Sequence, residues 1–384
     1  MQRPHFDRKR RNIAAAVTVG LVIGTTAFLS SRPADATPDP NLTDVGSTTA
    51  STAADSAPQD PSQQDDSPAA ADSATAGAVA GEAGPADSDD SGSTAQGAPR
   101  FRSGEDPSFA TSMGWPVDMP PALSGSLLPE RRIVCYYGNP NSTRMGALGE
   151  YPKDEMLRRL KLQTDEWRAA DPATPVEPCL HMVAVVAQGE PGTTGHYRSI
   201  MRDVDVQKVY EWSREIDGTF IVDMQVGTDD LRNILPRFDW ILRNPDVHLA
   251  VDPEFYMKGG HKPGTKIGTM DAADINYAAD HLANLVREHG LPPKVLVIHR
   301  FTRGMVTNSQ DIRLRPEVQV VMHMDGWGAP WLKRDSYKDY VVREPVQYTG
   351  FKLFYHNDTK AGDPLMSAAD VLRLEPKPVY IQYQ

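Results

Sequence analysis

The segment 247–257, VHLAVDPEFYM, carries an apolar run into two acids. Val247, Leu249 and Val251 supply alternate apolar side chains, and Pro253 stops the ladder because it has no N–H to donate. Asp252 and Glu254 are two residues apart, so on a strand they share a face, with Cα atoms about 6.5 Å apart. Two carboxyl groups at that spacing can serve one substrate atom or shift each other's pKa. One carboxyl that keeps its proton beside another that has lost it is the equipment of glycosidic-bond hydrolysis. Glu254, nearer the strand tip, is the expected general acid, and Asp252 the group that orients or tunes it. Asp325 or Asp223 would supply the second carboxylate from the opposite wall.

Other polar residues fall at the ends of apolar runs in the same way. Tyr136 and Tyr137 end one run, Asp223 and Gln225 another, then His299, then His323 with Asp325, and finally Gln382. Trp327 and Trp331 follow Asp325 in a glycine-rich loop and could stack on sugar faces. Tyr136, Tyr137, Gln225, His299, His323, Trp327, Trp331 and Gln382 are therefore the expected substrate contacts. Each has a plainer alternative: a satisfied core histidine, a helix cap at Asp223, a tryptophan packed against the barrel. Lys352, inside FKLFY, reads as a side chain that snorkels to water.

Several other chemistries lack their marks. His181, His299, His323 and the acids could ligate a divalent ion. However, the first strand has no H-x-H, and no H-E-x-x-H occurs. No metal or other cofactor is assigned on this reading. There is no G-x-S-x-G for a serine nucleophile, and no G-x-G-x-x-G after the first strand for a dinucleotide.

The elements that must position these residues alternate. Strands are expected at 133–138, 180–187, 219–226, 247–252, 294–301, 318–324, 350–355 and 379–383. Helical spacing falls at 154–170, 206–216, 229–235, 272–289 and 367–374. Gly290 and two prolines end the 272–289 helix. Near-continuously apolar strands mean a parallel sheet covered on both faces. Eight such units in this length fit an α/β (β/α)8 TIM barrel, with polar strand ends gathered at its C-terminal face. An open doubly wound sheet is the alternative.

The Asp252-Pro253-Glu254 step resembles the D-x-E that ends the fourth strand of chitinase-type and muramidase-type barrel glycosidases. Met322-His323-Met324-Asp325 is similar to the M-x-Y-D of the chitinase type, with Met324 in place of the tyrosine. Ala250 and Val247 stand where that type has further acids, and Gln382 lies near the place of its eighth-strand tryptophan. The resemblance implies a TIM barrel that hydrolyses glycans, with Glu254 as acid and no cofactor.

The rest of the 384 residues reads differently. A basic cluster, Arg8 to Arg11, precedes the apolar run 13–29 and an A-x-A at Ala34 to Ala36. Residues 1–36 thus read as a signal peptide, or as a membrane anchor through 13–29. Residues 37–104 form a low-complexity Ala/Ser/Asp/Pro stalk, expected to be disordered, and 105–384 the barrel. Residues 37–99 hold 11 acids and no Lys or Arg, so this stalk alone matches the net charge of −11. No basic stripe points to nucleic acid. The expected setting is secretion or the cell envelope, and the expected partner a polysaccharide. A non-catalytic carbohydrate-binding barrel and a metal-dependent hydrolase are the alternative functions. In an exported protein Cys135 and Cys179 could form a disulfide; buried free thiols are the favoured reading, since neighbouring parallel strands seldom offer disulfide geometry.

Overall fold

Strands β1 (Arg132–Gly138), β2 (Val176–Ala187), β3 (Thr219–Met224), β4 (Val247–Val251), β5 (Lys294–Arg300), β6 (Val318–Met324), β7 (Tyr348–Leu353) and β8 (Tyr380–Tyr383) each pair in parallel with their neighbours in sequence. β8 also pairs in parallel with β1, which closes the sheet into a barrel. This computed structural model describes residues 101–384. The expected leader or anchor, its apolar run 13–29 and the stalk up to residue 100 lie outside the described residues. Among the described residues no helix is long and apolar enough to cross a membrane.

Helices α1 (Lys153–Ala170), α2 (Asp203–Arg214), α3 (Ala272–His289) and α4 (Pro330–Tyr337) lie between strands. In α1, Met156, Leu160, Thr164 and Trp167 fall on one buried face, and Asp154 and Glu155 sit in the first turn, where the helix dipole favours acids. The Trp167 indole N–H donates to the Tyr383 hydroxyl (2.9 Å), tying α1 to β8. In α3 the Asp271 side chain caps the N-terminus, and Gly290, at φ 62°, takes the left-handed turn that ends it. The helix expected at 229–235 is interrupted: Leu231–Ile234 gives way to a 3₁₀ turn, Leu235–Phe238, and then Asp239–Leu242. Pro236 removes an N–H from the α-ladder at that point.

Strand alternation sorts the side chains. Outward residues such as Leu180, Phe220, Leu249, Ile298 and Met322 pack in the large core beneath the helices. Inward residues form a second cluster of Ile133, Cys135, Cys179, Ile221, Val297 and Val321. Leu128, from the lead-in, packs into that cluster from the N-terminal end of the barrel. Its N–H and that of Leu127 donate to Gln319 Oε1 at 3.2 and 2.9 Å. Two residues further along each strand the inward positions turn polar: Tyr137, His181, Asp223, His299, His323, Lys352 and Gln382. The interior is thus mostly apolar below, with His248 and Gln319 among the apolar residues, and polar above.

Cys135 and Cys179 are register partners on β1 and β2, with Cα atoms 4.2 Å apart, and they form a disulfide. The free-thiol expectation is therefore corrected. The reason is curvature: on the concave face of a closed sheet, inward side chains of adjacent strands converge. The bridge closes a loop between residues 44 apart, a span at which such a bond is worth about 2–4 kcal/mol. The Cys135→Ala/Cys179→Ala variant is expected to lose about that much in urea unfolding. An unchanged midpoint, together with free thiols by labelling, would show that the bond does not form in the protein.

Candidate active site

The upper interior holds a continuous row of charged and polar groups. Lys352 Nζ lies 2.9 Å from Asp325 Oδ1, and His299 Nδ1 lies 2.8 Å from Asp325 Oδ2. On its other side, His299 Nε2 lies 3.2 Å from Asp223 Oδ2. The same Asp223 oxygen lies 3.1 Å from His181 Nε2. His181 Nδ1 then meets the Tyr380 hydroxyl at 2.6 Å and Gln382 Nε2 at 3.0 Å. The row runs across β7, β6, β5, β3, β2 and β8, so it exists only in the closed barrel.

Charge decides the protonation of each member. Burial would strip the proton from His299, but the charges of Asp223 and Asp325 outweigh it and raise this imidazolium to about 10. Burial opposes ionisation of Asp223, yet the His299 charge holds it far below the usual carboxylate range. Asp325 is held low against burial by Lys352 and then His299. His181 is neutral, pushed down to about 4 by burial despite the pull of Asp223. Burial and the His299 charge also keep His323 neutral. Two anions, Asp223 and Asp325, are thus matched by two cations, His299 and Lys352.

Asp252 and Glu254 stand above this balanced set. β4 ends at Val251, and Asp252 caps a 3₁₀ turn, Pro253–Phe255, accepting the Glu254 N–H on Oδ1 at 3.0 Å. The two acids are therefore placed by a turn, not by strand alternation, which corrects the expected geometry. Asp252 is 3% exposed and Glu254 partly buried. Gln225 Nε2 donates to Asp252 Oδ2 (3.2 Å) while Gln225 Oε1 accepts the Ala187 N–H (3.1 Å), fixing the amide between β2 and β4. Burial raises Asp252 to about 7; the charge of His299 resists this, and those of Asp223 and Asp325 add to it. Burial, Asp252 and Asp325 raise Glu254 to about 8. The arrangement sets a protonated Glu254 within the electrostatic reach of an ionised Asp325.

Tyr137, Gln225, His299, His323 and Gln382 converge here with all four acids. Tyr137 lies over Lys352, whose Nζ is 3.8 Å from the ring centroid. Tyr136 does not reach the site. Being adjacent to Tyr137 on β1, it must face outward, and it bonds Tyr355 through its hydroxyl (3.1 Å) among the outer aromatics. Trp331 is 59% exposed at the start of α4, and Trp327 is half-buried in the loop before it. That loop is pinned by Asp358, which accepts the Gly328 N–H (2.9 Å) and pairs with the buried Lys333 (3.0 Å).

Lys352 was expected at the surface. It is instead 2% exposed, and its ammonium points into the barrel. Counting by two from Gly350, which faces inward against His323, would have placed it there. Gly350 makes room as well: a Cβ at this position would lie 2.5 Å from His323 Nδ1. His181 and Tyr380 join the row on the same count, from Cys179 and toward Gln382.

No family model matches the chain, and no curated protein matches it. Among solved structures, it is similar to a GH5-4 broad specificity endoglucanase from an uncultured bacterium, at 10% identity and a TM-score of 0.30, over 58% of this chain and 77% of that one. It is also similar to ZgEngAGH5_4, solved in complex with a cellotriose, at 12% identity and a TM-score of 0.31, over 58% of this chain and 79% of that one.

Removing one ion from the row leaves a buried charge without its partner. Lys352→Met is expected to cost about 3–5 kcal/mol in denaturant unfolding. A loss near zero would mean that the Asp325 charge is satisfied without the ammonium.

Proposed function

We propose that the chain is an exported glycoside hydrolase-like barrel that cleaves a polysaccharide by paired-carboxylate chemistry. The observation that carries this reading is the split between Glu254, raised to about 8, and Asp325, held low by Lys352 and His299, at one end of one barrel. Glu254 gives its proton to the glycosidic oxygen as the bond to the anomeric carbon breaks. The Asp325 carboxylate stabilises the positive charge that develops on the sugar ring. Water then adds at the anomeric carbon, and its proton returns to the Glu254 carboxylate. Asp252 raises the Glu254 carboxyl and, by accepting the Glu254 N–H on Oδ1, keeps it in place. Gln225 and Tyr137 offer an amide and a hydroxyl for sugar hydroxyls, and Trp327 and Trp331 an aromatic surface beside the mouth.

The Cys135–Cys179 bond supports export, since disulfides persist in oxidising compartments. Secretion or a place at the cell envelope, as the N-terminal sequence suggests, is the setting we propose.

The test is release of reducing ends from envelope and storage polysaccharides. Glu254→Gln is expected to lower the rate by about 10²–10⁴-fold with an unchanged melting temperature. The sign of the pH dependence follows from the raised pKa: an acid must be protonated to act, so activity holds below about 8 and falls as the pH rises through it. Release that survives in Glu254→Gln would remove this residue from the acid role. Glycan binding without release in either protein, weakened by Trp331→Ala, would identify a non-catalytic binding barrel.

A further inference from the structure

We propose that His181, Asp223 and His299 form a binding site for a single zinc-class divalent transition ion, set beneath the acids at the barrel mouth. The three side chains come from β2, β3 and β5, and one ligand atom from each lies within 4.8 Å of the others. Both imidazole Nε2 atoms approach the same Asp223 oxygen, at 3.1 and 3.2 Å. Zinc holds nitrogen and oxygen at about 2.0–2.1 Å, so neighbouring ligands of a tetrahedral site lie about 3.3 Å apart. The two separations between imidazole and carboxylate match that edge.

These separations would also suit hydrogen bonds, but the directions do not. His181 Nε2, His299 Nε2 and both Asp223 oxygens are buried without a hydrogen-bond partner. Buried polar atoms are almost always paired. Here four unpaired ones belong to three side chains that each bring a ligand atom within 4.8 Å of the others, a set able to surround a cation.

The outer contacts fit as well. A metal-bound histidine uses one ring nitrogen for the ion and gives the other to a carboxylate or hydroxyl. His299 turns Nδ1 to Asp325 (2.8 Å), and His181 turns Nδ1 to the Tyr380 hydroxyl (2.6 Å). Both rings are thus held with Nε2 toward Asp223. Two imidazoles and a carboxylate suit zinc, iron or manganese in preference to calcium or magnesium, which take oxygen ligands. Three protein ligands leave at least one position on the ion for water or substrate.

This inference goes beyond the glycosidase reading and does not use Glu254. The full chain, stripped with chelator, is titrated with zinc chloride in a calorimeter, and the bound metal is then counted by mass spectrometry. Saturable uptake of a single ion per chain is expected. Asp223→Asn, with folding checked by circular dichroism, is expected to weaken it about 100-fold, and Tyr380→Phe about 10-fold. No saturable uptake, or unchanged uptake in a folded Asp223→Asn protein, would overturn the site. Should that variant not fold, cobalt in the wild-type protein decides. Intense visible absorption from a low-coordinate nitrogen-ligated ion supports the site, and a weak spectrum like that of aqueous cobalt overturns it. Because these readouts are uptake and spectrum, their failure leaves the role of Glu254 to be decided by the hydrolysis assay alone.

Discussion

Asp223 has no exposure to water, and its stability inside the barrel rests on the positive charge beside it at His299. Bringing an unpaired carboxylate to that depth costs several kcal/mol. At an effective dielectric of about 20, opposite unit charges about 4 Å apart attract by about 4 kcal/mol, so a single good neighbour roughly offsets the penalty. The alternation of anion and cation from Asp223 through His299 and Asp325 to Lys352 gives each ion such a neighbour. Above that set, burial raises both Asp252 and Glu254 against the pull of His299 and Lys352. The unusual state of the two acids at the mouth is thus set first by burial and then by the carboxylates around them. Whether a proton on His299 or a metal ion supplies the central positive charge, the electrostatic requirement of Asp223 is the same.

The two ends of the barrel divide the work. Below, Leu128 packs among apolar side chains and Gln319 fixes the backbone that carries it. The disulfide lies in that same apolar cluster. Above, seven of the eight strands deliver a polar side chain inward, and loops held by Asp358 and Lys333 border them. Stabilising contacts and chemical groups share the same strands but differ by a single step of the two-residue period.

Much of this was legible in the sequence. Near-continuous apolar runs separated by helical spacing gave eight strands and a barrel, because burial on both faces leaves little choice of residue. The gathering of polar residues at strand ends gave the face. What could not be read followed from facts outside the local pattern. Adjacent Tyr136 and Tyr137 look equivalent until the barrel decides which one faces inward. Lys352 looks like a surface cation because its partner, Asp325, is on another strand. The bridge between Cys135 and Cys179 was the less favoured reading because the concavity of a closed sheet is not written in either strand. The turn that places Glu254 begins one residue before the proline that announces it, so the strand-face argument led to these two acids for a reason that does not hold.

Gly350 shows how emptiness can be a functional group. The rings of His299, His323 and Tyr380 interleave edge to face, at centroid separations of 5.3 and 4.9 Å, and they can do so because β7 presents no side chain where His323 lies. A single methyl group there would collide with the His323 ring and with Tyr380, and the displaced imidazole would have only the neighbouring rings to press upon. The position makes no hydrogen bond through a side chain and carries no charge. It nonetheless sets the spacing of the aromatic stack, and through His299 the aim of the charged row. A residue that contributes nothing but volume withheld is thereby as constrained as the ions it accommodates.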